Sequence, residues 1–264
     1  MSGREDLVGI DEYLPNALGL RLPLPSLAIG LEFLHILIGH SSIVDRKSAA
    51  ERNWAEGKPN GVIIGTPLYF NDCIEFTSGL SGLRTSMMDI YPSSTLAIAG
   101  ADVSPAPGSA ASTRGFHIGS SAGTADSGGA NIYTSYNANV TNVRANARYG
   151  AAGVNTTLST VGENNLNWGL RIAQFGNYTE DMFFKNMTTG ASATTDVPVD
   201  GNNIPLARIP NSQPVMVGTE QSLAWGGKIR GSVVAGWSRK TTAIENDAFY
   251  PWVKRLCATV ALVI

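Results

Sequence analysis

The chain has 264 residues and a mass of 27.8 kDa, enough to bury a full core, so one large domain with an extension is the expectation. Charged residues make up 15%, the net charge is -2 and the pI is near 5.9, which gives no electrostatic drive towards phosphate backbones or anionic lipid and excludes nucleic acid as an expected partner. Glycine occurs 29 times, and Ser, Thr and Asn abound after residue 90, a mixture suited to short strands joined by many turns.

The N-terminus, MSGREDLVGIDE, opens with charges of both signs and no apolar segment follows at once, so no secretory signal is expected and synthesis in a cytoplasm is. The most apolar stretch, residues 18–38, contains Arg21, Pro23, Pro25, Glu32 and His35, each costly in hydrocarbon, so membrane insertion is not expected. Residues 1–60 differ from the rest. They hold Pro15, Pro23 and Pro25, a helix-compatible run from Ser26 to Ile38, and a polar helical segment from Asp45 to Glu56 ended by Gly57, Pro59 and Gly61. The run Leu27, Ile29, Leu31, Phe33, Leu34, Ile36, Leu37 and Ile38 is apolar on nearly every face, so it must be covered, either under the main domain or on another subunit. Residues 1–60 are accordingly read as an assembly arm, with Leu27, Ile29, Leu31, Phe33, Leu34 and Leu37 as its contacts, and residues 61–264 as the main domain.

From Gly61 onwards short alternating runs bounded by Gly, Pro, Asn, Asp and Ser read as strands. The clear cases are 94–99, 116–119, 130–136, 154–161, 168–175, 181–187, 215–218 and 228–238. In the last, Ile229, Val233, Ala235 and Trp237 share one predicted face, and Lys228, Arg230, Ser232 and Ser238 a wet one. The segments 104–112 and 120–129 read as long surface loops, and Thr188-Thr189-Gly190 as a tight hairpin turn. No alternating βαβ pattern, long repeat or heptad seam is present, which leaves two packed antiparallel sheets. Thr242 and Glu245 have the spacing of a capping box, so a short C-terminal helix follows the last long strand.

Four segments carry a resemblance. Asn167-Trp168-Gly169-Leu170-Arg171-Ile172-Ala173 resembles a tryptophan-led strand, Pro214-Val215-Met216-Val217-Gly218-Thr219 a strand ending in a glycine turn, and Gly227-Lys228-Ile229-Arg230-Gly231-Ser232-Val233-Val234 a late G-x-I strand. Ser238-Arg239-Lys240-Thr241-Thr242-Ala243-Ile244-Glu245 is similar to an S-R-x-L-T-x-x-E exit, with Thr241 in place of the apolar residue. In this order they resemble the concanavalin A-like lectin/glucanase superfamily, in particular its laminin G-like domains, over residues 61–264. The resemblance implies a mainly β, antiparallel jelly-roll sandwich, here with a partly helical N-terminal arm and a short C-terminal helix. Proteins with such a domain, few charges and a distinctive arm look like bacteriophage virion components. That association implies a structural virion protein as the leading reading, located in the virion, with other copies of itself and other virion proteins as partners.

Little chemistry stands out. Retaining glycosidases need two carboxylates roughly 5 Å apart, and the nearest acidic pairs, Asp72/Glu75, Glu180/Asp181 and Glu245/Asp247, read as a turn, a strand end and a helix cap. His35, His40 and His117 are dispersed, Cys73 and Cys257 lack metal or redox spacing, and Asp126, Asp196, Asp200 and Asn202 share no calcium-loop spacing. Gly119-Ser120-Ser121-Ala122-Gly123 spells Gly-x-Ser-x-Gly but lies in a Gly/Ser loop with no helix pattern after it, so no nucleophile elbow is expected. Asn139, Asn155, Asn177 and Asn186 head four sequons in an Asn/Thr-rich composition. Asn131, Tyr133, Tyr136 and Asn137 combine aromatic and amide side chains in one segment, the pairing used for carbohydrate, although cross-strand packing and turn asparagines are the favoured explanation because tyrosine is a strong strand former. No catalytic residue, cofactor or metal is expected. The alternatives to a virion protein are a lectin-like glycan-binding adhesion module and a glycoside hydrolase with an atypical acid/base pair.

Overall fold

The computed structural model describes residues 22–38, 43–104, 115–121, 129–137, 140–150, 154–159, 167–178, 180–220 and 225–264. His40, Asp126 and most of the two predicted loops, residues 105–114 and 122–128, lie outside the described residues.

Two antiparallel sheets face each other. The eight-stranded sheet runs β13 (Ser192–Thr195), β12 (Met182–Asn186), β11 (Gly169–Phe175), β6 (Ser94–Asp102), β15 (Lys228–Trp237), β4 (Ile74–Thr77) and β3 (Leu68–Tyr69), with β1 (Leu31–Ile36) also on β15. The seven-stranded sheet runs β10 (Val154–Ser159), β9 (Val140–Tyr149), β8 (Asn131–Asn137), β7 (Phe116–Gly119), β14 (Pro214–Val217), β5 (Gly82–Met88) and β2 (Val62–Ile64). The Thr188-Thr189-Gly190 turn joins β12 to β13, with Gly190 at φ 79° donating its N–H to the Asn186 carbonyl.

Two apolar layers result. Phe76, Leu96, Ile98, Phe175 and Phe184 of one sheet meet Leu83, Ile118, Ile132, Val143 and Val217 of the other. On the far side of the eight-stranded sheet, Leu170, Ile172, Val233, Ala235 and Trp237 are covered by Phe249, Trp252, Val253 and Leu256 of a C-terminal helix, α2 (Ala243–Ala258). That third layer explains the departure from the predicted facing of β15. A bulge between Gly231 and Val233 reverses the alternation, so Ile229 points between the sheets while Val233, Ala235 and Trp237 point under α2. Neither face of β15 beyond the bulge is wet.

The run from Ser26 to Ile38 is not a helix. A 3₁₀ turn (Pro25–Ala28) and Gly30, at φ 70°, lead into β1, which pairs with the second half of β15 while β4 pairs with the first half. Side chains apolar on both faces suit a strand covered on both sides as well as a buried helix. Phe33 and Leu37 join the inter-sheet core, and Leu27, Leu31 and Leu34 join the layer under α2. Gly236 makes room for this, because a Cβ there would strike the Phe33 ring. The segment is also wired in by polar groups: Trp237 Nε1 donates to Leu27 O (2.7 Å), and Arg239 donates to Ser26 O and Ile29 O. Asn53, beyond α1 (Ile43–Glu51), accepts from Leu34 N–H and donates to Glu32 O. Of the six residues read as assembly contacts, five are buried within the chain, and Ile29 alone is exposed, at 64%.

β1 also carries a buried titratable group. His35 Nδ1 lies 2.9 Å from Arg52 O, and Nε2 has no partner. Burial lowers its pKa from 6.5 to about 4, against the opposing pull of the Arg52 and Ala50 carbonyls. His117, wholly buried and beside the Arg171 guanidinium, is lowered in the same direction, first by burial and then by that charge. A histidine held neutral in the fold takes up protons on unfolding below pH 6.5, so its contribution is lost as pH falls from 6.5 to about 4. For His35 this amounts to about 3 kcal/mol. Glu245 acts lower: Arg239 holds its pKa at about 2 instead of 4.5, so its contribution is lost only between those values. Urea midpoints measured from pH 7 to pH 4.5 should therefore fall steeply, and less steeply in His35→Phe; identical slopes would refute the assignment.

Candidate functional site

A groove lies on the outer face of the eight-stranded sheet where α2 begins. Strand register builds its floor: Gln174 of β11 stands opposite Phe183 of β12, and Phe183 opposite Thr194 of β13, so three side chains form one cross-strand row. Their sequence neighbours Ala173 and Phe184 point the other way, into the core. Lys185 lies one step along the same face of β12. Asp181, Lys240 and the first turn of α2, with Ala243, Asn246 and Asp247, complete a lining that encloses about 260 Å³.

The helix start is fixed by the predicted capping box. Thr242 Oγ1 accepts from Glu245 N (3.2 Å), and Glu245 Oε2 accepts from Thr242 N (2.7 Å). Arg239 grips both Glu245 oxygens at 2.9 and 2.7 Å, which ties the helix end to residues 26–29. A polar relay then orients the groove amides. Gln174 Nε2 donates to Thr241 O and Oγ1, and Thr241 Oγ1 donates to Asn246 Oδ1 (2.6 Å). Gln174 Oε1 and Asn246 Nδ2 are thereby left, among the described residues, as an acceptor and a donor without protein partners. Lys185 Nζ stands 3.9 Å from Asp247 Oδ1, and Lys240 Nζ donates to Asp181 O (2.6 Å). Pro251 has no N–H, so the Asp247 carbonyl lacks its helical donor. The groove thus offers an aromatic ring, an amide donor and acceptor without protein partners, and balanced charges, a set suited to vicinal hydroxyls.

The β8 quartet behaves differently. Asn131 and Tyr133 do point to the outer face of the seven-stranded sheet, but both are buried. Tyr133 packs edge-on against Trp225 (centroids 5.2 Å apart), which also meets Phe116, and Asn131 Oδ1 accepts from Ser121 N. Tyr136 and Asn137 stand opposite Thr141 and Val140 in β9, and their side chains lie outside the described residues. Asn131 and Tyr133 are therefore not an open platform. Of the acidic pairs, Glu75 is held by Arg230 and Lys228, Glu245 by Arg239, and Glu180 accepts from Ser93, whereas Asp181 and Asp247 line the groove. Cys73 and Cys257 are buried free thiols whose pKa values burial pushes up, to about 12 for Cys257, so neither is a reactive thiolate.

Sequence reasoning missed Phe183, Gln174 and Asn246. Phe183 sits in a predicted strand, but its placement beside Gln174 depends on pairing that alternation does not encode.

Neither a protein-family model nor a curated protein matches the chain. Solved structures do resemble it in fold. The binding domain of botulinum neurotoxin serotype D superimposes with a TM-score of 0.57 at 9% identity, covering 88% of this chain and 53% of that one. The binding domain of Paraclostridial Mosquitocidal Protein 1 gives 0.52 at 10%, covering 83% and 51%. The serotype D ligand-binding domain in complex with N-acetylneuraminic acid gives 0.54 at 8%, covering 84% and 51%. The chain spans about half the length of each, and at this identity the likeness is one of fold, a sandwich of two antiparallel sheets.

Proposed function

We propose that this chain is a non-catalytic, lectin-like module that binds glycans through the β12–α2 groove. The observation that carries the reading is the row Gln174–Phe183–Thr194 facing Asn246, an aromatic surface flanked by an unpaired amide acceptor and donor. Sugar rings present an apolar face and adjacent hydroxyls to such a set. About 260 Å³ is just below the roughly 300–1,000 Å³ of small-ligand pockets, which suits one sugar unit of a longer chain. The fold supports the same class, since its structural neighbours are described as receptor- or ligand-binding domains, one of them with a bound sialic acid. The reading as a phage structural protein drew on a resemblance that included a distinctive N-terminal arm, and β1 of that arm pairs with β15 of the same chain.

A glycan array with the full chain tests the proposal. Binding to a defined subset of glycans is expected, weakened about tenfold in Phe183→Ala, or ~1.4 kcal/mol, with an unchanged melting temperature. An empty array, or binding indifferent to Phe183, would refute the groove. Polysaccharide cleavage abolished by Asp181→Asn or Asp247→Asn would refute the non-catalytic part.

A further inference from the structure

A second face of the molecule carries polar groups with nothing to bind. Val143, Ala145, Ala147 and Tyr149 of β9 are fully buried between the sheets, so Asn142, Arg144, Asn146 and Arg148 alternate onto the opposite face. Register sets Ser135, Tyr133 and Asn131 of β8 beside Asn142, Arg144 and Asn146 respectively. Three buried side-chain atoms in this row, Asn142 Oδ1, Arg144 Nε and Arg148 Nε, are sealed from water and have no hydrogen-bond partner. The two other arginines with an orphaned Nε differ: Arg171 donates through its terminal nitrogens to Gly100 O, and Arg208 to Tyr91 O and Asp89. Arg144 and Arg148 have no side-chain hydrogen bond or ion pair among the described residues. The terminal guanidinium nitrogens of both half-buried arginines, unlike Nε, are not sealed, so with no protein acceptor among the described residues they are the donors that a ligand's acceptors can reach.

We infer that the outer face of β9 is a binding site for acidic saccharides, separate from the β12–α2 groove. Guanidinium groups recognise carboxylate and sulfate oxygens through paired N–H donors, and Asn142 between strand neighbours can serve hydroxyls. Arg144 and Arg148 are four residues apart on one strand, roughly 13 Å. That span is wider than one sugar ring, so the ligand is an oligosaccharide carrying at least two acidic groups. Polyphosphate chains are the poorer fit, because two arginines on a chain of net charge -2 release few counterions, while the Asn142 amide beside Arg144 matches hydroxyls.

The test is biolayer interferometry on the full chain with four probes: polygalacturonic acid for carboxylates, dextran sulfate for sulfates, unmodified dextran, and a DNA duplex. Binding to one or both acidic polysaccharides, and not to dextran, is expected. It should weaken about tenfold or more in the Arg144→Gln/Arg148→Gln variant. The paired Lys variant, which keeps charge and stems but not the planar fork, should fall between. Because the substitutions remove orphaned donors, the Gln variant should melt no lower than the parent. The inference is overturned if neither acidic polysaccharide binds, if the Gln and Lys variants bind as the parent does, or if DNA binds as tightly and is lost with the same arginines. A failed groove with intact Arg-dependent binding would leave this site standing.

Discussion

Removal of residues 1–60 is expected to abolish the cooperative unfolding transition of the remaining chain and to drive it into aggregates. β1 supplies Phe33 to the inter-sheet core, followed there by Leu37 just beyond the strand, while Leu31 and Leu34 join the layer under α2. It also occupies the edge of β15 from Val233 to Trp237. Truncation would uncover Val233, Ala235 and Trp237 and leave a row of backbone groups free to pair with another chain. The magnitude is decisive. Phe33→Ala by itself should cost about 3–5 kcal/mol, against a total stability of about 5–15 kcal/mol for a typical domain. Light scattering and far-ultraviolet circular dichroism of the 61–264 fragment check this. A soluble monomer with a sharp melt would show instead that the sandwich closes without the segment, and would restore residues 1–60 as an assembly arm.

Breaking the ion pair between Asp89 and Arg208 should cost about 3–5 kcal/mol, because the surviving partner would keep a buried, uncompensated charge. Both side chains are essentially inaccessible, at 2% and 0% exposure. Asp89 Oδ2 accepts from Ser120 Oγ (2.7 Å), and Arg208 also donates to Tyr91 O and lies over the Phe175 ring. Arg208 N–H donates to Asn177 Oδ1 (3.0 Å). The pair therefore fastens the turn after β5, the segment after β7 and the approach to β14 to one another. Arg208→Met and Asp89→Leu should each lower the urea midpoint sharply, and the double variant should be less destabilised than the sum of the two. Singles close to the parent, or strictly additive losses, would mean that the pair is not coupled.

What the sequence determined by itself was local. Alternation and turn residues placed strands at Phe116–Gly119, near Ser94–Ala99 and over most of Lys228–Trp237, and the Thr242/Glu245 spacing placed the start of α2. Each follows from forces acting within a few residues: side-chain period, turn conformation and a reciprocal cap. Two antiparallel sheets followed by elimination. β9 escaped notice because its outward residues, Asn142, Arg144, Asn146 and Arg148, mask the short Val and Ala residues that face the core. Tertiary structure decided the rest. Whether an all-round apolar run is helix or strand depends on what covers it, and for residues 31–36 the answer is β15, about 200 residues later in the chain. The bulge at Gly231–Val233 turns β15 towards α2, a choice that no alternation pattern contains. The groove is the sharpest case. Gln174, Phe183, Thr194 and Asn246 are unremarkable in sequence and acquire meaning only because strand register aligns three of them and the helix cap sets the fourth opposite.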